Sequence, residues 1–163
     1  GPILYRSPRI GRGGEPFDML KFRSMKVGAH EELADLLREQ GRDGQPLFKI
    51  EQDPRITRFG AFIRKYSLDE LPQFFNVIAG SMSLVGPRPQ MPEEVALYDD
   101  VAHRRLLRRP GITGLWQVSG RSNLSWEEAM RLDLYYVENW SLVGDIEILF
   151  RTIRVVLAKD GAV

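Results

Sequence analysis

The sequence predicts an α-rich α+β fold: a single globular domain with several amphipathic helices around a small sheet or hairpin. Three observations carry this. Several segments repeat apolar residues at helical spacing, only short runs alternate as strands do, and no repeat, low-complexity tract or linker divides the 163 residues. A chain of this length forms one ordinary domain with room for a core.

The elements follow in order. PILYR, 2–6, reads as a short strand, and SPRIGRGGEP after it as a flexible basic turn. FDMLKFRSM, 17–25, alternates as a second strand, with Phe17, Met19 and Phe22 as core candidates. HEELADLLREQ, 30–40, is an amphipathic helix, and Asp43-Gly44 marks a hairpin or loop. ITRFGAFIRKY, 56–66, is a helix with Ile56, Phe59, Phe62 and Ile63 on one face. LPQFFNVIAG, 71–80, is another that ends at Gly80. SMSLVGPRP is a short apolar strand entering a proline-stiffened loop. EEVALYDDVAHRRLLRRPG is helical up to Pro110-Gly111, and GITGLWQVSGR is a strand or hairpin. LSWEEAMRLDLYYVENW, 124–140, is a helix capped by Ser125 with Glu128 three residues on. DIEILFRTIRVVLA, 145–158, carries an apolar stripe of Ile146, Leu149, Phe150, Ile153, Val156 and Leu157.

Composition narrows the chemistry. Apolar residues make up 43% and charged residues 28%, ordinary for a soluble globular chain. The net charge of +1 favours no partner, and with no recognised module present, nucleic-acid binding is a poor fit. Charge is nevertheless clustered. Arg6, Arg9, Arg12, Lys21, Arg23 and Lys26 crowd one end; Arg104, Arg105, Arg108, Arg109 and Arg121 form a second group. Such groups suit phosphates or an acidic membrane surface, or simply a solvated face. The absence of cysteine excludes disulfides, thiol nucleophiles and thiolate-bound zinc. Two histidines, His30 and His103, make no multi-histidine centre, so a metal here is a hard cation held by oxygens. No run reaches the roughly 18 apolar residues of a spanning helix.

Chemistry concentrates in SLDELPQFFNVIAGSMSLVGPRP, residues 67–89. Ser67-x-x-Glu70 has the spacing of a capping box. Pro72 argues against it, because it would fall at the fifth helical position, whereas proline suits the first. A helix starting near Pro72 leaves Asp69 and Glu70 free. Without cysteine the nucleophile candidates are Ser, Asp, Glu, Lys and Tyr, and a carboxylate attacking phosphorus gives an acyl phosphate. Such a site needs a cation on the phosphate oxygens and Arg or Lys to offset charge. Asp69 and Glu70 can supply a nucleophile and a magnesium ligand. Arg88, between Pro87 and Pro89, is either a stiffened phosphate fork or an incidental arginine on a rigid turn. Lys21 and Arg23 flank Phe22, so both project from one strand face, beside a phosphate or as an ordinary polar face. Trp116, Trp126 and Trp140 serve as core, as stacking surfaces or at a membrane interface.

KFRSM (21–25), DPRITRFGAFIRKYSLDELPQFFNVIAGSMSLVGPRP (53–89), RPGITGLWQVSGR (109–121) and LDLYYVENWSLVGDIEILFRT (132–152) together resemble the bacterial sugar transferases, monotopic polyprenyl-phosphate phosphoglycosyl transferases that initiate glycan assembly. The resemblance covers nearly the whole chain. It implies transfer of a sugar-1-phosphate from a UDP-sugar to a polyprenyl phosphate, with UMP released, in capsule, exopolysaccharide or related pathways. Asp69 would be the nucleophile, forming a covalent phosphosugar intermediate. Glu70, with Asp69, would hold Mg²⁺; Arg88, Lys21 and Arg23 would bind phosphate; and RPGITGLWQVSGR would help shape the nucleotide-sugar pocket. The implied location is the cytoplasmic face of the bacterial inner membrane. The family's catalytic domain follows a hydrophobic re-entrant helix, so residues 1–163 are expected to be the catalytic domain without that anchor, poor at transfer to lipid. Two other readings use the same residues: a phosphohydrolase with water as acceptor, and a non-catalytic nucleotide- or membrane-binding module.

Overall fold

The protein is described by a computed structural model that covers residues 1–29, 32, 53–120 and 124–158. All of the expected helix 30–40 except residue 32, and the Asp43-Gly44 turn, lie outside these residues, as does Arg121.

The fold is α-rich α+β, with two small two-stranded sheets. Strands β1 (Leu4–Ile10) and β2 (Pro16–Phe22) form an antiparallel hairpin in which Tyr5 pairs with Lys21, Ser7 with Met19 and Arg9 with Phe17. The first strand runs four residues past its predicted end. Its buried positions are Ser7 and Arg9, so the apolar alternation that marks a half-buried strand is missing from its second half. Pro8 is tolerated because each strand of a two-stranded hairpin is an edge. Of the second strand's core candidates only Met19 is fully buried; Phe17 and Phe22 are half-buried.

Helix α1 (Arg58–Lys65) is capped by Thr57, whose Oγ1 accepts from Gly60 N at 2.9 Å. It docks where the hairpin ends: Thr57 N donates to Ser24 O at 3.1 Å, and a Cβ on Gly60 would overlap that same carbonyl. The expected inner face of α1 is corrected. Ile63 is buried, but Phe59 and Phe62 are exposed. Helix α2 (Gln73–Ile78) lies along β2, where Asn76 Oδ1 accepts from Leu20 N at 2.9 Å and Asn76 Nδ2 donates to Asp18 O at 2.8 Å. Gly80 closes it at φ 85°.

Strand β3 (Ser83–Val85) pairs in parallel with β4 (Gly111–Thr113), joining the strand before GPRP to the GITG segment. Three glycines allow this. A Cβ on Gly86, Gly111 or Gly114 would collide with the backbone of the opposite segment. Between the strands, the long predicted helix is broken into α3 (Pro92–Val95), α4 (Asp100–His103, capped by Asp99) and a 3₁₀ turn, Arg104–Leu107. The segment after β4 is not a hairpin but a short helix, α5 (Leu115–Ser119).

Helix α6 (Trp126–Glu138) has the predicted capping box: Ser125 Oγ accepts from Glu128 N at 3.2 Å and Glu128 Oε2 accepts from Ser125 N at 2.9 Å. Its inner stripe is Ala129, Met130, Asp133, Tyr136 and Val137. Helix α7 (Leu142–Ala158) buries Ile148 against Val85, Tyr136 and Val137. The predicted stripe is again largely on the outside: Ile146, Phe150, Ile153 and Leu157 are exposed. Leu149 and Val156 are partly buried, and Thr152 bonds Thr113 at 2.7 Å. Among the described residues no helix is long and apolar enough to cross a membrane.

Arg105 and Asp133, both buried, form the central polar contact. Arg105 Nε donates to Asp133 Oδ2 at 2.8 Å, Nη1 to the Tyr98 hydroxyl and Nη2 to Arg88 O. Arg105 therefore does not belong to a surface basic patch. Removing one partner strands a buried charge, so Asp133→Leu is expected to cost about 3–5 kcal/mol in urea unfolding. Arg105→Met/Asp133→Leu together should regain part of that loss; a single-variant cost below about 1 kcal/mol would contradict the assignment.

Candidate active site

The dyad sits on the sharp connection between α1 and α2. Tyr66 ends α1, and Ser67 takes a left-handed conformation at φ 53°, ψ 23°, which non-glycine residues seldom adopt. A 3₁₀ turn, Leu68–Glu70, then leads through Leu71 and Pro72 into α2. Ser67 makes no side-chain cap, so the capping box is not formed, and the helix begins just after Pro72 as the proline argument requires.

In a 3₁₀ turn neighbouring side chains diverge by about 120°. Asp69 turns inward and is only 8% exposed, whereas Glu70 meets β2. Lys21 Nζ donates to Glu70 Oε1 at 3.2 Å, a contact that spans 49 residues and joins KFRSM to the dyad. Among the described residues no side chain hydrogen-bonds or ion-pairs with the Asp69 carboxyl. Burial pushes its pKa up and Glu70 adds to this, while Lys21 and Arg64 pull it back. The result is a shielded carboxyl with a backbone hydrogen bond but no side-chain partner among the described residues, beside a paired one, with two cations nearby. Sequence reading missed Arg64, whose placement one helical turn before the dyad was the available signal.

Arg88 is not brought into contact with the dyad. Its guanidinium lies over the Trp116 ring, 4.9 Å from the centroid, and its N–H reaches Asp133 Oδ2 at 3.3 Å. With Arg105 on its carbonyl, both backbone polar groups of Arg88 are held by the buried pair. Arg9, one of the N-terminal basic cluster, is buried rather than on a surface patch: burial, then Arg88, lowers its pKa to about 10, and its Nη1 is 4.0 Å from Glu94. Arg23 shares the hairpin face of Lys21 but stops short of the dyad, because Nε donates to Pro2 O at 2.8 Å and the guanidinium covers Tyr5. Trp116 is buried and Trp126 half-buried, while Trp140 is exposed. Two cavities among the described residues, of about 630 and 210 Å³, are lined by neither Asp69 nor Glu70.

The donor set can be tested against a magnesium ion. Among the described residues no group of three or more acidic, histidine or cysteine ligands exists. An unpaired Asp69 and a Glu70 that commits only Oε1 to Lys21 do suit Mg²⁺, which takes one or two carboxylates and completes its shell with water and substrate phosphate.

Exposed apolar side chains crowd around the dyad: Phe59 and Phe62 on α1, and Leu68, Leu71, Phe74, Phe75 and Ile78 along and after the turn. The helix junction thus holds a buried Asp69 beside a half-exposed Glu70 that is paired with Lys21, next to an exposed apolar surface, while the Arg88 loop lies apart from them.

The sequence profile described as "Bacterial sugar transferase" matches residues 1–159, and the chain belongs to that family. It is 49% identical to the undecaprenyl-phosphate galactose phosphotransferase of Salmonella typhimurium and 53% identical to an uncharacterized sugar transferase of Haemophilus influenzae. Each match covers 99% of this chain and 35% of the relative, so the chain spans about a third of their length. The exopolysaccharide production protein ExoY of Rhizobium meliloti is 44% identical over 99% of this chain and 73% of its own.

The raised pKa of Asp69 has a sign that can be checked. A carboxyl raised in the fold favours the native state fully below its unfolded pKa, near 3.9, and loses that contribution as pH rises through the folded value. Asp69→Asn, which removes the ionisation, should therefore melt above wild type at pH 7, with the gap closing toward pH 4. A variant that melts lower at pH 7 would show that the carboxylate is stabilised by the fold.

Proposed function

We propose that this chain transfers a sugar-1-phosphate from a UDP-sugar to a polyprenyl phosphate. The observation that carries the reading is the Asp69 carboxyl, buried and without a side-chain partner among the described residues, beside a Glu70 fixed by Lys21. The names of the relatives support it, since the Salmonella protein is a galactose phosphotransferase acting on undecaprenyl phosphate.

In the first step an Asp69 oxygen attacks the sugar-bearing phosphorus of the donor. The new bond is an aspartyl–phosphorus ester; the bond to the UMP oxygen breaks, and UMP leaves with the electron pair. In the second step a phosphate oxygen of the lipid attacks the same phosphorus, forming a diphosphate and returning the Asp69 carboxylate. Desolvation strips the carboxylate's water shell and raises its pKa, and the charges of Lys21 and Arg64 oppose that rise. Mg²⁺, held by Glu70 and Asp69, would screen the diphosphate charge when bound. Arg88, whose backbone is fixed and whose guanidinium makes no hydrogen bond among the described residues, supplies a phosphate fork, and Arg23 adds positive field at the edge.

The apolar rim around the dyad fits a lipid acceptor. Its phosphate must meet Asp69 while its chain stays in hydrocarbon, so we place this face on the cytoplasmic surface of the bacterial inner membrane, the full-length protein being monotopic. A water-only hydrolase would have no use for such a rim.

Two outcomes test the reading. Mixed with UDP-galactose or UDP-glucose and Mg²⁺, the protein should gain the mass of one sugar phosphate and release UMP; Asp69→Asn should lose both by about a thousandfold or more, and a chelator should suppress them. Inorganic phosphate or free sugar phosphate in place of UMP would favour hydrolysis instead. Separately, Phe59→Glu/Phe62→Glu should weaken binding to anionic phospholipid vesicles at least tenfold, and unchanged co-sedimentation would remove this face from the interface.

A further inference from the structure

The two basic clusters of the sequence meet at a place the dyad does not use. Arg12 from the first and Arg108 and Arg109 from the second wall the cavity of about 630 Å³, together with Trp140 and Tyr136. The smaller cavity shares Arg12 and Arg109 with it. Asp69, Glu70 and Lys21 line neither. Phe17, on the smaller cavity's wall, is four residues along β2 from Lys21, which is about 13 Å at strand rise. Gly80 and Ser81, on the same wall, follow the far end of α2.

Positive charge is in excess here: three arginines share the larger wall with one carboxylate, Asp145. Two exposed arginines show the paired alternative: Arg104 with Glu138 at 2.8 Å and Arg151 with Glu147 at 2.6 Å. Among the described residues Arg12, Arg108 and Arg109 make no such ion pair. The acid on the larger wall, Asp145, is oriented by neutral donors, with Oδ1 accepting from the Tyr136 hydroxyl at 2.8 Å and Oδ2 from Trp140 Nε1 at 3.0 Å, and its single charge offsets only part of the three positive ones. Glu15, on the smaller cavity, makes no ion pair with Arg12 or Arg109. Arg108 is pre-set, its guanidinium 4.6 Å from the Trp140 ring centroid. Three like charges around one concavity repel one another unless an anion joins them.

We propose that this cavity is a second anion site, separate from the dyad, that takes a diphosphate group. Three guanidinium forks offer six in-plane prongs, which suit the six terminal oxygens of a free diphosphate, or the five of its monoester, better than the fewer oxygens of a single phosphate. The volume lies within the range of small-molecule sites. The diphosphate can belong to a free ion, a nucleoside diphosphate or a prenyl lipid.

The test is calorimetric titration of the whole chain at fixed ionic strength, with Trp140 fluorescence as a second readout. Inorganic pyrophosphate should bind at least tenfold more tightly than sulfate. Arg12→Gln/Arg109→Gln should weaken it at least tenfold, while Lys21→Gln and Asp69→Asn leave it unchanged. Arg108→Lys, which keeps the charge but loses the fork, should weaken it several-fold and serves if the double variant does not fold. Uridine diphosphate and phosphatidylcholine vesicles carrying a prenyl diphosphate then separate the nucleotide from the lipid source. Equal affinity for sulfate and pyrophosphate, unaltered binding in the arginine variants, or a loss that follows Lys21 would each overturn the assignment. Because the readout is binding, it stands or falls independently of sugar-phosphate transfer.

Discussion

The buried pair Arg105–Asp133 organises this molecule. Asp133 projects from the inner stripe of α6 and Arg105 from the turn after α4, and between them they hold both backbone polar groups of Arg88. A buried ion pair gains little stability over a well-packed apolar pair, because desolvation offsets most of its attraction. Its use here is positional. It fixes the backbone of a cationic loop that prolines alone only stiffen, and it leaves the Arg88 side chain free to act. Tyr98, bonded to the third arginine nitrogen, ties the same cluster to the segment between α3 and α4.

The dyad is built on a different device. A tight connection between two helices, with Ser67 in a left-handed well, turns Asp69 inward and aims Glu70 at the hairpin. Strained backbone of this kind costs of order 1–3 kcal/mol and persists where the surroundings over-determine it. The docking of α1 on Ser24 and of Asn76 on β2 supplies that constraint from either side. A carboxyl kept partly desolvated is a poor contributor to stability, so its burial at this turn is a cost that the surrounding packing has to offset.

Sequence reading succeeded where chemistry is local. Pro72 located the start of α2, and Ser125 with Glu128 located α6. It failed where a face had to be assigned. Phe59, Phe62, Ile146 and Phe150 form periodic stripes, and periodicity shows that a stripe exists without saying whether protein or something else covers it. The second half of β1 was invisible because its inward residues are Ser7 and Arg9. Asp133 left a faint trace as the single acid on an otherwise apolar stripe, between Met130 and Val137. Arg105 left none, since in sequence it is one arginine among several and only the fold separates it from the arginines around it.

The glycine contact between GPRP and GITG limits how this protein can be re-engineered. Gly86, Gly111 and Gly114 leave no space for a methyl group between the two backbones, although the segments lie over twenty residues apart in the chain. A loop transplanted from a relative, or an insertion made to alter selectivity, must therefore be exchanged as a matched set with its opposite segment. Swapping one alone would lever the parallel strands apart and shift the clamped arginine with them.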